Sequence, residues 1–269
     1  MIPDLHHFQP VDLAELDVTA ALRTRKDRKY LVPLGRLDRI VEGFDPGAVR
    51  VLEIEGRRDF GYESIYFDTP DLACFRATAY RRRRRFKVRT RRYTDRGDTF
   101  LEAKVRHRKR LTVKHRLPIA DHGRLRPGGR DFLRSIDGVG SAADDLRPVL
   151  TTAYRRATVL AAAETARLTI DVGLAWRLPA GPAIQLSGVA VVETKSIGPP
   201  TSLDRLLWAL GHRPTRISKY ATGLAAFDHD LPANTWHRVL RDHFGREGDH
   251  GAIGRCVPRR IPALAECGR

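Results

Sequence analysis

Apolar and polar residues alternate with a period of two through most of this chain, and the polar member of the alternation is very often lysine or arginine. Residues 85–93 show it most plainly. Arg85, Lys87, Arg89 and Arg91 fall on one face of a strand, and Phe86, Val88 and Thr90 fall on the other. The same period predicts strands over 25–32, 49–54, 63–69, 99–106, 111–117, 154–162, 166–174 and 189–196. Helical spacing is confined to short pieces. Leu34, Leu37, Ile40, Val41 and Phe44 follow Pro33 and stop at Asp45-Pro46-Gly47. Others are expected within 71–80, around Phe132-Leu133, over about 202–210, and up to Ala226. Residues 1–22 read as an N-terminal arm with a short amphipathic helix near Leu13 to Leu22. Residues 178–183 read as a Pro/Gly turn. Beyond Asp230 the composition is polar and basic, which predicts a poorly ordered tail over 230–269.

The charged faces repeat from strand to strand. Residues 25–32 align Arg25, Asp27 and Lys29; 99–106 align Glu102 and Lys104; 111–117 align Lys114 and Arg116. Residues 166–174 align Arg167, Thr169 and Asp171, and 189–196 align Val191, Glu193 and Lys195. A row of like charges repels itself, so it needs solvent or a polyanion. Many antiparallel strands with one charged and one apolar face do not make a plain sandwich. They predict an α+β fold: an eight-stranded antiparallel β-barrel tunnel with a polar, basic lumen and helices packed outside.

Composition narrows the partners. The chain has 269 residues, 42% of them hydrophobic, and 49 Lys+Arg against 32 Asp+Glu give a net charge of +17. That balance attracts polyanions: nucleic acid, an anionic membrane or phosphorylated small molecules. Cys74, Cys256 and Cys267 have no zinc spacing, and the N-terminus has no secretory pattern. No apolar run reaches the length of a membrane span. A cytoplasmic protein is expected. Gly138-Val139-Gly140 does not follow a strand, and there is no Walker A motif, so nucleotide binding would rest on the tunnel.

Taken in order, the motifs resemble a known family. They are Arg25-x-Asp27-x-Lys29-Tyr30, Ser64-Ile65-Tyr66-Phe67-Asp68-Thr69, Lys87-Val88-Arg89-x-Arg91, Leu101-Glu102-x-Lys104 and Lys114-x-Arg116. Tyr154-Arg155-Arg156, Arg167-Leu168-Thr169-Ile170-Asp171, Glu193-Thr194-Lys195 and Ser218-Lys219-Tyr220 follow. Over residues 23–229 the chain is similar to the VTC domain, the polyphosphate polymerase domain of the triphosphate tunnel metalloenzyme (CYTH-like) superfamily. The resemblance implies a basic tunnel, ATP as phosphoryl donor, a growing inorganic polyphosphate chain, and Mn²⁺ or Mg²⁺. It implies Glu193 as the metal-binding glutamate. Asp27 stands where the family often has Glu, and the Glu-x-Glu-x-Lys of the family's triphosphatases is missing from that strand.

Phosphoryl transfer asks for positioning and charge neutralisation rather than covalent chemistry. Arg89, Arg91, Arg167, Lys195 and Lys219 are the candidate catalytic cations. Lys29, Lys87, Lys104, Lys114, Arg116, Arg156 and Ser218 are the candidate phosphate-binding residues. Glu193 would anchor the metal with help from Asp171, or from Glu102 through water. Against this, Glu193 could pair with Lys195, and Asp171 could be an ion-pair partner. A metal-dependent triphosphatase of the same fold and a non-catalytic polyanion binder stay open. Nucleic acid is disfavoured, because the aromatic residues are expected on the apolar faces rather than between the basic ones.

Overall fold

The computed structural model describes residues 1–19, 26–107 and 112–244. Arg25, Leu111, Cys256, Cys267 and the tail beyond 244 lie outside the described residues. In chain order the elements begin with β1 (Gln9–Val11), α1 (Leu13–Thr19), β2 (Lys26–Pro33), α2 (Leu37–Glu42), β3 (Arg50–Leu52), β4 (Asp59–Asp68) and α3 (Ala73–Ala79). A meander of β5 (Arg85–Tyr93), β6 (Thr99–Arg106) and β7 (Thr112–Pro118) precedes α4 (Pro127–Arg134). Then come β8 (Arg147–Ala161), β9 (Ala166–Arg177), β10 (Ala183–Gln185) and β11 (Val189–Ser196). Helices α5 (Ser202–Ala209), α6 (Ala221–Phe227) and α7 (His237–Phe244) complete the described chain.

All eleven strands belong to one sheet. Its main path runs β2–β11–β9–β8–β4–β5–β6–β7, with antiparallel pairing throughout. Off that path, β1 pairs parallel with β3, β3 pairs with β8, and β10 pairs with β9. The expected closed eight-stranded barrel is therefore corrected to a large, unclosed antiparallel sheet. Among the described residues β2 and β7, the two ends of the path, share no ladder. Alternation assigns a face to each side chain but says nothing about whether two edges meet. A side-chain contact reaches across instead, with Lys104 Nζ of β6 4.0 Å from Asp27 Oδ2 of β2, while Lys29 Nζ donates to the Ile217 carbonyl before α6 at 3.1 Å.

The outer face carries the core. Tyr30, Val32, Val159, Leu168, Ile170 and Val192 are buried under Leu37, Ile40 and Val41 of α2 and Leu203 and Leu207 of α5. Burying each such aliphatic side chain stabilises by about 1.5–3 kcal/mol, so this face fixes which way the strands turn. Helix α5 starts at a capping box, Thr201 with Asp204. The fully buried Asp204 also accepts from Tyr30 Oη and Thr194 Oγ1, both at 2.6 Å, which ties the helix to β2 and β11. On the other half of the sheet, α4 lays Leu133 against Val88, Leu101, Ala103 and Val105.

Two features depart from the sequence expectation. The pairing of β8 with β9 slips between Ala153 and Arg155, beside Gly173, whose φ of +64° suits glycine. The extra residue switches Leu174 and Trp176 onto the face that carries Asp171 and Arg167. There they join Tyr66, Tyr220 and Leu224 in an apolar plug beneath α6. The second departure lies in 231–244, which the sequence placed in a loose tail. Leu231, Trp236 and Val239 are buried in the same plug, and α7 packs behind α6. The N-terminal arm is also part of the core, through Leu5 and Phe8. No helix of the described residues is long and apolar enough to cross a membrane.

Candidate functional site

The concave face of the sheet encloses a cavity of about 500 Å³, a volume in the ordinary range for small-molecule sites. Its wall is drawn from nine strands, β2 to β9 and β11, with α1 and the approach to α6. Arg89, Arg91, Arg167, Lys195 and Lys219 all line it, and so do Lys29, Lys87, Lys104, Lys114, Arg116, Arg156, Ser218 and Glu193. Of the candidate site residues, Asp171 alone is missing from the lining. Residues as far apart in sequence as Lys29 and Lys219 meet here because the strands that carry the cations turn their charged faces inward.

Three carboxylates organise the cations. Glu102 is surrounded by four: Arg89 donates from Nε and Nη2 at 2.8 and 2.7 Å, Lys114 Nζ lies at 2.6 Å, and Arg116 and Arg91 lie at 3.9 and 4.0 Å. Burial opposes its ionisation, but the Arg89, Arg91 and Lys114 charges hold its carboxyl well below the usual range. Asp171 is fully buried, accepts from Arg156 Nε at 2.5 Å and Nη2 at 2.8 Å, and also accepts from Lys219 Nζ. It too stays ionised against its burial, through Arg156 and Lys219. Glu193 receives Lys195 Nζ at 2.8 Å, and Lys195, Lys29 and Arg156 hold it ionised although it is buried.

The lysines respond in the opposite sense. Burial, then the charges of Lys29 and Lys104, push Lys87 down to about 7. Its Nζ donates to Ser218 Oγ at 3.1 Å. Burial also lowers Lys195, to about 8, with Glu193 opposing the shift. Burial lowers Lys114 as well, again against the pull of its carboxylate partner Glu102. Arg89 and Arg156, paired with Glu102 and Asp171, are held charged, while burial brings Lys87 and Lys195 down toward neutral pH.

Aromatic rings lie beneath the cations, contrary to the expected segregation. Tyr62 and Tyr154 stack at 5.2 Å, and Arg156 sits 5.3 Å from each ring. Arg91 lies over Tyr62 at 5.2 Å, Arg89 over Tyr66 at 5.8 Å and Lys219 over Tyr154 at 4.5 Å. These rings are used against one another and against guanidinium groups, where each cation–π contact contributes roughly 0.5–2 kcal/mol. The signal for them was present: Tyr62 and Tyr66 share parity with Ser64 on β4, and Tyr154 stands two before Arg156.

The donor set does not form a metal centre. Among the described residues no group of three His, Cys, Asp or Glu side chains is placed to hold an ion. Asp171, expected to help hold the metal, has both its oxygens engaged by Arg156 and Lys219. Glu193 and Glu102 both face the cavity, Glu102 with its oxygens engaged by Arg89 and Lys114, and a divalent ion needs about six oxygens.

A family model for the VTC domain matches residues 24–228. This chain belongs to the VTC domain family. No curated protein matches it. Among solved structures, a candidate adenylate cyclase of Vibrio parahaemolyticus aligns with a TM-score of 0.44 at 11% identity, covering 76% of this chain and 98% of that one. A candidate adenylyl cyclase of Hippeastrum, described as having a dominant triphosphatase activity, aligns at 0.45 and 12%, over 74% and 94%. A protein of Pyrococcus horikoshii aligns at 0.43 and 14%, over 74% and 94%. The VTC match spans β2 through the end of α6, the segment that supplies the cationic lining.

Proposed function

We propose that this VTC domain transfers the terminal phosphoryl group of ATP to the end of an inorganic polyphosphate chain inside the cationic cavity. The observation that carries the reading is the state of the three carboxylates. Glu102, Asp171 and Glu193 are all engaged with cations and held well below the ordinary carboxylate range. Carboxylates of such low basicity are poor general bases, so activating water is unfavourable here. A polyphosphate end needs no base, because it is already anionic.

In this reading Arg89, Arg91, Arg156 and Arg167 clamp phosphate oxygens, using the planar fork that suits bidentate contact. Side chains two apart on a strand are spaced by about 7 Å, which suits successive phosphates of an extended chain. Lys87, Lys195 and Lys219 supply compact positive charge. Bound phosphate favours the protonated forms of Lys87 and Lys195, so Lys87 would be an ammonium, not a base, in the complex. A bond forms between the acceptor's terminal oxygen and the γ-phosphorus, and the β–γ bridging bond breaks, leaving its electron pair on ADP. Mn²⁺ or Mg²⁺ is a family expectation for which this chain offers Glu193; the charge neutralisation above comes from the protein's own cations.

The test incubates the purified protein with ATP and Mn²⁺ or Mg²⁺ and resolves products on a gel. Long polyphosphate is expected, and is expected to disappear in Lys219→Ala and Glu193→Ala. The second reading is a triphosphatase of the same fold. Orthophosphate release from tripolyphosphate without chain growth would select it.

A further inference from the structure

We propose that a long polyphosphate chain leaves the cavity along the β5–β6 wall and is held outside it by an arginine track, Arg85 and Arg106 first and the exposed turn Arg81–Arg84 beyond them. This rests on the cavity being a polyphosphate site, and it assigns the path of the polymer, which the proposed chemistry alone does not.

The register of β5, β6 and β7 sets the cavity's cations in rows. Arg89 faces Glu102 and Arg116; Lys87 faces Lys104 and Lys114; Arg85 faces Arg106. Successive rows on one face are about 7 Å apart. The negative charge in these rows thins out along the series. The first contains Glu102 itself, and in the second Lys104 reaches Asp27 at 4.0 Å. In the third, among the described residues, neither Arg85 nor Arg106 has a carboxylate within 4.0 Å. Like charges placed directly opposite in a sheet destabilise it, and these two are half-buried. Burial, Arg106 and Arg81 all act to lower the basicity of Arg85. A polyanion threaded through the third row would reverse that repulsion.

The turn beyond continues the row outward. Arg81, with a left-handed φ of +55°, reverses the chain after α3, and Arg81 to Arg84 are all exposed. Arg85 Nη1 donates to the Arg82 carbonyl at 2.6 Å, which holds the turn against the strand end. The other ways out are unsuitable for a polyanion. The mouth at the β5–β6 hairpin end mixes Asp17, Asp95 and Asp98 with Arg96 beside Phe60 and Phe100, so its carboxylates offset its cation. The floor beneath α6 is the apolar plug of Leu174, Trp176 and Leu224.

Binding measured with tripolyphosphate and with long-chain polyphosphate tests the track. The variants are the triple Arg82→Ala/Arg83→Ala/Arg84→Ala, which alters only exposed side chains, and separately Arg106→Gln, with thermal melts confirming that each is folded. Tripolyphosphate affinity is expected to stay within about twofold of wild type, since that ligand fits inside the cavity. Long-chain affinity is expected to fall at least about tenfold in the triple variant, with a salt dependence weaker by roughly one ion for each phosphate that the missing arginines no longer neutralise. Unchanged long-chain affinity in both variants, with both ligands still bound, overturns the track and leaves the cavity reading intact. Wild-type protein that binds neither ligand overturns both. If the triple variant loses single-stranded RNA but not long polyphosphate, the turn is a nucleic-acid contact and the track is likewise overturned.

Discussion

Replacing Asp171 with asparagine separates an anchoring carboxylate from a metal ligand, and its cost can be worked from the geometry. The side chain is fully buried, and its two oxygens accept from three donor groups, two on Arg156 and one on Lys219. Asparagine keeps the shape but removes the charge, leaving two largely buried cations side by side. Deleting one partner of a buried ion pair costs about 3–5 kcal/mol. Arg156 keeps the faces of Tyr62 and Tyr154, and Lys219 keeps Tyr154, interactions of roughly 0.5–2 kcal/mol each that remain in the variant. The lower end of the range, about 3 kcal/mol, is therefore expected. At about 2–4 °C per kcal/mol for a chain of this size, Tm falls by about 6–12 °C. Tripolyphosphate restores negative charge beside the stranded cations, so saturating ligand should raise the variant's Tm more than it raises that of wild type. Thermal denaturation with and without tripolyphosphate, and with and without Mn²⁺, reads all of this. A ligand-free loss below about 1 kcal/mol, or a rescue by Mn²⁺ alone, would refute the reasoning.

Two other outcomes follow from the same geometry. Burial and its cationic neighbours push Lys87 down to about 7, so bound phosphate should draw a proton onto it. Tripolyphosphate binding above pH 7 should take up protons, measurable by calorimetry in buffers of different ionisation enthalpy, and Lys87→Gln should reduce that uptake by up to about one proton; equal uptake in both proteins would count against the assignment. The stability term has a definite sign: with a folded value near 7 and an unfolded value of about 10.5, the unfolded chain binds more protons between those limits, so this group makes the ligand-free protein more stable as pH rises through that window. Gly223→Ala puts a Cβ onto the Trp176 ring, whose Nε1 donates to the Lys219 carbonyl at 2.5 Å. Overpacking of this kind costs about 1–3 kcal/mol, and displacement of Lys219 should lower phosphoryl transfer as well as Tm; a variant with wild-type activity and stability would show that the plug does not position Lys219.

What the sequence determined by itself was the facing of side chains. A period of two is a local property of the backbone, and it put Arg89 with Arg91, Arg167 with Asp171 and Glu193 with Lys195 on shared faces before any strand was paired. It also placed the helices that cover the apolar face, because Leu37, Ile40 and Val41, and Leu203 and Leu207, follow helical spacing. Only the tertiary structure decided which carboxylate neutralises which cation, since Glu102 gathers Arg89, Lys114 and Arg116 through register across three strands. The bulge at Gly173 is equally invisible to a period count, yet it turns Leu174 and Trp176 into a plug and leaves Asp171 at the plug's border, holding two cations rather than facing the cavity. Whether the sheet closes was also undecided locally. That depends on how far its twist carries β2 around toward β7, a sum over the whole molecule that no single strand contains.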